Sequence, residues 1–191
     1  FGFPEALPIF LAALGDPHRR ARDVALMGLA FLDAPEALSA LLATALSDSD
    51  TARGAAMRAL GRSTSGDREI TTVLVNGLSD GSPWVRYYAC QALGRRGAQE
   101  ETTRLTNMLK DGAGQVRVAA VEALSQFRND DSIAALRAIA RGEEPDMKRA
   151  ALIGLGHTRR EEALPVLLEA ARSADASTRL VAISALAEGP I

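Results

Sequence analysis

Few residues in this chain are of types that do chemistry, and their spacing excludes most reactions. His18 and His157 are the only imidazoles and Cys90 the only thiol. On stacked helices at about 8–10 Å per layer, the two histidines fall about 30 Å or more apart, too far to share a metal ion. Cys90 follows Ala89 with no histidine nearby to activate it, so it reads as a small packed hydrophobe rather than a nucleophile. Glycine-rich phosphate loops are absent. The expectation is a protein that is not an enzyme, with no catalytic residue, no metal and no cofactor.

What remains is positive charge beside planar side chains. Arg58, Arg62, Arg95 and Arg96 gather near the ends of successive helical patterns, beside Tyr87 and Gln91. Such a set can hold an acidic peptide or a phosphate. Cations at helix C-termini also gain about 0.3–1 kcal/mol from the macrodipole with no ligand at all, so the cluster has a purely structural reading too. Further along, Glu122, Arg149 and Ile153 occupy equivalent positions and complete the candidate partner-binding set. Val118, Ile153 and Leu180 make an apolar strip that can dock a partner helix, or face a further repeat or flanking domain.

The elements that position these residues repeat. A basic residue, Ala at +3, a small residue at +6 and Leu at +7 recur six times, beginning at Arg22, Arg53, Arg86, Arg117, Lys148 and Arg179. Intervals of 31, 33, 31, 31 and 31 residues are the mark of a solenoid of stacked units. Positions +3, +6 and +7 share one helical face. A preceding helix carries its own apolar pairs, Phe10/Leu14, Leu42/Leu46, Leu74/Leu78, Leu105/Leu109, Leu136/Ala140 and Leu167/Ala171. With Leu42 as the marker, the turn of the second repeat is one residue shorter than the others, and the linker over 62–67 is longer.

Asp16-Pro17, Asp50, Ser82-Pro83 and Ser177 supply capping oxygens or a first-turn proline where each second helix begins. Asp33, Asp67 and Asn129 lie at starts of first helices, and Gly61, Gly94 and Gly156 at helix ends. The fold class is all-α, a right-handed solenoid of about six two-helix repeats at about 4–32, 35–63, 67–96, 98–127, 130–158 and 161–188, forming one domain over 1–191 that is open to being a fragment of a longer chain.

The run from Asp48 to Gly61, and the run Val85-Arg86-Tyr87-Tyr88-Ala89-Cys90-Gln91-Ala92-Leu93-Gly94, resemble HEAT repeats. More narrowly they resemble the short repeats of phycobilisome lyases and many bacterial proteins. The resemblance implies a ladder in which turn aspartates Asp16, Asp48, Asp80 and Asp111 bond the arginines. Lys148 departs from it, and Glu143-Glu144-Pro145-Asp146 replaces the turn Asp, so the resemblance leaves the ladder contact of the fifth repeat open. The resemblance also implies that second helices line the concave side, exposing positions +1, +5 and +9. The His-Glu pairs that hold iron in HEAT-repeat hydroxylases are missing. Trp84 is expected to pack between repeats rather than to serve a DNA glycosylase-like site.

A net charge of -2 and a pI near 5.8 disfavour a general nucleic-acid binder. No apolar run approaches the roughly 18 residues of a membrane span, and no leader precedes the repeats, so a cytoplasmic location is expected. The apolar Ile183, Leu186 and Ile191 leave the last repeat without a polar cap. The reading reached is a scaffold that binds another protein or a peptide on its concave face. The alternatives are a bilin-lyase-like or other ligand-handling subunit, and nucleic-acid binding through the arginines.

Overall fold

In the computed structural model, residues 3–188 are described. They form twelve α-helices and no strand. They are α1 (Leu7–Ala13), α2 (Arg19–Leu29), α3 (Pro35–Ala45), α4 (Asp50–Leu60), α5 (Arg68–Gly77), α6 (Pro83–Arg95), α7 (Thr102–Met108), α8 (Gly114–Ser125), α9 (Asp130–Ala140), α10 (Pro145–Thr158), α11 (Leu164–Ala170) and α12 (Ala176–Glu188). The chain falls into two compact units that part between residues 96 and 97. In the first, α2 packs on α4 and α4 on α6, with α1, α3 and α5 layered beside them. In the second, α8 packs on α10 and α10 on α12, and α7, α9 and α11 form the companion layer.

The core follows the repeated columns. Ala25, Ala56 and Ala89 in the first unit, and Ala120, Ala151 and Ala182 in the second, are all buried. Small side chains in these columns let neighbouring second helices approach closely. Gly61 and Gly156 carry the same logic further. A Cβ on Gly61 would lie 2.7 Å from the Ala92 Cα, and one on Gly156 would lie 3.0 Å from the Ala185 Cα. These glycines are therefore sites of close approach. Gly94 and Gly156 lie inside α6 and α10 rather than ending them, and the positive-φ positions are Gly97 and Arg159.

Other expectations are corrected in detail. Core contacts of α3 come from Ala37, Leu41 and Ala45, whereas Leu46 is exposed just past the helix end. The turn of the second repeat, residues 46–49 between α3 and α4, is one residue shorter than the turns after α1, α5, α7 and α11, and the turn after α9 shares its length. Ser49 caps α4 by accepting from the Ala52 N–H, leaving Asp50 in the first turn. Asp175, not Ser177, accepts from the Thr178 N–H at α12, and Ser177 donates to Asp175. These hydrogen bonds pull the Asp175 carboxyl far below the usual carboxylate range. Asp67 and Asn129 do cap α5 and α9. At the last helix Ile183 is exposed and Leu186 half-buried. Ile191 lies outside the described residues.

Within each unit the arginines clamp the turns. Nη1 of Arg53 donates to the Ser47 and Asp48 carbonyls, while Nε and Nη2 reach Asp80 at 2.8 and 2.9 Å in a two-pronged pair. That hydrogen bonding raises the Arg53 pKa and holds the Asp80 carboxyl below its ordinary value. Arg117 does the same in the second unit, bonding the Asp111 carbonyl and, at 2.8 Å, Glu144. The contact left open by the loss of the aspartate is made by Glu144, whose longer side chain reaches back to the same fork.

Candidate functional site

The aromatic residues converge on the second helix of the third repeat. Trp84, Tyr87 and Tyr88 are spaced i, i+3, i+4 on α6, which places them on one helical face. Ring centroids lie 5.8 Å apart for Trp84–Tyr87 and 5.1 Å for Tyr87–Tyr88, both edge-to-face. Trp84 is 56% exposed, so it stands at the surface instead of packing between repeats. An indole this exposed offers a large rigid contact area at low entropic cost.

Around this triad α2 and α4 supply charge. The Arg58 guanidinium sits 5.3 Å from the Tyr88 ring centroid and 3.9 Å from an Asp23 carboxylate oxygen. Gly54, expected to be exposed at +1, is buried, and a Cβ there would lie 3.2 Å from the Tyr88 ring. Its lack of a side chain lets Tyr88 settle against α4. The result is a hollow of about 260 Å³ walled by Trp84, Tyr88 and Arg58, with Asp23 and Asp50 on its acidic side. Tyr87 accepts a 2.8 Å hydrogen bond from the Gln91 amide, which fixes both side chains.

A second hollow, about 540 Å³, lies at the C-terminal ends of α4 and α6. Arg62 and Arg95 are exposed on its walls, and Phe31 stands at its rim. Arg96 plays a structural part here. Its guanidinium donates to the carbonyls of Leu60, Ser63 and Ser65 at 3.4, 2.9 and 2.8 Å, pinning the longer linker in place. Burial pushes the Arg96 guanidinium below its ordinary range, and its Nε has no hydrogen-bond partner.

In the second unit, Glu122 is exposed on α8, and Arg149 and Ile153 are exposed on α10. They present a face without an aromatic side chain, and Glu122 and Arg149 form no ion pair. Of the apolar strip, Ile153 and Leu180 are exposed and Val118 is half-buried. Tyr88 is absent from the residues singled out by sequence, and Trp84 was assigned to packing. Their signal was the i, i+3, i+4 spacing with Tyr87, which concentrates every Trp and Tyr of the chain on one helix.

Among the described residues no group of three or more His, Cys, Asp or Glu is placed to hold a metal ion. Cys90 is buried. No described helix is long and apolar enough to cross a membrane.

Comparison with known proteins agrees with the geometry. The Escherichia coli protein YibA overlays with a TM-score of 0.65 at 21% identity, over 98% of this chain and 71% of that one. A designed armadillo repeat protein in complex with the peptide (KR)4 gives 0.57 at 18% identity, covering 96% and 99%. The CpcE–CpcF complex of phycocyanin lyase from Nostoc sp. PCC7120 gives 0.50 at 21% identity, covering 95% and 87%. At these identities the likeness establishes the fold, an all-α solenoid of the armadillo and HEAT kind. No curated protein matches the chain. The description of HEAT repeats matches four overlapping stretches, 1–61, 45–117, 71–146 and 102–187, and the chain belongs to the HEAT-repeat family.

Proposed function

We propose that this protein is a non-catalytic interaction module that binds a segment of another protein, with the aromatic face of α6 and the neighbouring face of α4 as its anchor. The observation that carries the reading is the half-exposed Trp84, edge-packed on Tyr87 and backed by Arg58 over Tyr88. Trp, Tyr and Arg dominate binding energies where they meet at a surface, because each offers a large planar contact with a polar handle. The designed armadillo relative, which holds a peptide, supports the reading by fold. Acidic Asp23 and Asp50 beside the rings suit a basic side chain slotted against Trp84.

Trp84 is the sole tryptophan, so its emission reports on this face alone. Peptides selected from a displayed random library against the intact chain are expected to shift Trp84 emission saturably. They should bind at least tenfold more weakly to Arg58→Ala and to Trp84→Ala, the latter read by calorimetry. Selected peptides that bind the parent and both variants equally would overturn the proposal.

A further inference from the structure

The second hollow has a chemistry of its own. Its charged lining is three arginines and no carboxylate. Some arginines elsewhere pair with an acid, as Arg53 does with Asp80, Arg117 with Glu144, Arg141 with Glu169 and Arg160 with Asp130, while others such as Arg149 do not; what sets this hollow apart is that its arginines line one space together. Arg62 and Arg95 have no carboxylate within ion-pair distance among the described residues. Helix dipoles account for a cation at the end of α4 or of α6 separately; they do not account for both lining one hollow with Arg96 beneath, where like charges repel.

The construction is specific to this place in the array. Phe31, Arg62 and Arg95 are the +9 positions of three consecutive repeats, so the regular stacking delivers them in a row. The hollow's other lining is the stretch 63–66, in the linker whose two extra residues make the Arg53–Arg86 interval 33. Arg96 donates to the Ser63 and Ser65 carbonyls of that stretch and to the Leu60 carbonyl before it, and the Thr64 side chain and the 64 and 66 backbone N–H groups have no acceptor among the described residues. Two guanidinium forks and these donors together exceed what a single carboxylate can accept, and match the three oxygens and double charge of a phosphate monoester.

We propose that this hollow binds the phosphate of a phosphorylated serine or threonine in the partner, with Arg62 and Arg95 as the paired forks and Phe31 contacting the adjoining residue. The inference rests on the protein-binding reading above and names the chemistry of the partner. A protein segment is favoured over a polyphosphate chain or an anionic membrane because Asp67 and Glu69 at the start of α5, and Asp23 and Asp50 at the aromatic face, are acids that repel an extended anion.

The test is a titration of the ¹⁵N-labelled chain with N-acetyl-O-phosphoserine N-methylamide, with the unphosphorylated compound and a dT10 oligonucleotide alongside. Saturable shifts of the Arg62 and Arg95 Nε–Hε signals and of the Thr64 and Gly66 amides are expected with phosphoserine and not with serine. The double variant Arg62→Gln/Arg95→Gln should weaken binding at least tenfold with an unchanged melting curve, while Arg172→Gln, exposed in the second unit, should leave it unaltered. No saturable shift, or equal binding by the double variant, would overturn the proposal. So would displacement of phosphoserine by a lower concentration of dT10 with a steep salt dependence, which assigns the hollow to nucleic acid. If selected peptides still require Trp84 while phosphoserine fails to bind, this inference alone fails; if they bind the Trp84 variant equally, the broader reading fails.

Discussion

The two units are built on one plan and dressed differently. In both, alanine and leucine columns bury the same face and a glycine lets α4 meet α6, or α10 meet α12, at backbone distance. In both, an arginine clamps its own turn and reaches forward to an acid. The partners diverge. Arg53 and Asp80 are 21% and 14% exposed and form a two-pronged pair, whereas Arg117 and Glu144 are 24% and 58% exposed and share one carboxylate oxygen. The outward faces diverge further, since one carries Trp84, Tyr87, Tyr88 and Arg58 and the other Glu122, Arg149 and Ile153. Stacking constrains the columns that touch neighbours and leaves the outward columns to vary, and the proposed recognition falls on the repeats whose outward columns carry large planar side chains.

The comparison is broken most severely through the shared columns. Ala89→Arg in the first unit and Ala120→Arg in the second both force a long cation into a fully buried seam, and each should destabilise by more than about 3 kcal/mol. Thermal melts in which one unit tolerates the change would show that the seams are not equivalent. A smaller effect is expected at the close approaches. Gly61→Ala and Gly156→Ala each press a methyl against a neighbouring helix backbone and should cost about 1–3 kcal/mol by denaturant titration.

The acid partners sharpen the contrast. Asp80→Asn should cost about 1.5–3 kcal/mol, as a bidentate charged hydrogen bond in a largely buried setting. Glu144→Gln, at an exposed acid, should cost about 0.2–1 kcal/mol. Because the folded state holds the Asp80 carboxyl low, its contribution is present above the unfolded carboxylate value of about 3.9 and fades as pH falls through the lower folded value. Urea titrations across pH 2 to 7 should show a shallower acid loss for Asp80→Asn than for the parent. Equal acid limbs would remove Asp80 as a source of pH dependence.

The architecture was legible in the sequence because stacking forces the same residue types into the same columns every 31 residues. Leu41 escaped because Leu42 beside it is equally apolar, and only the constant step to the arginine separates them. Much of the site was harder to read. Arg62 and Arg95 stand out by charge, and Tyr87 by size. Trp84 was read as a packing residue because proline before it marks a helix start, and nothing in one dimension says which side of that first turn faces water. Arg96 looked like its neighbour Arg95, yet one residue further round the helix its guanidinium turns inward to the linker carbonyls. Glu144 shows that an acid two residues displaced in type and length can fill a ladder position, since reach and not identity decides the bond.

The most direct measurement is the affinity of a library-selected peptide for three forms of the intact chain: parent, Arg58→Ala/Trp84→Ala, and Arg149→Gln/Ile153→Ser. Loss of at least tenfold in the first-unit variant with less than threefold in the second-unit variant is the predicted result. The reverse order, or equal affinity for all three, would contradict the assignment of recognition to the aromatic face.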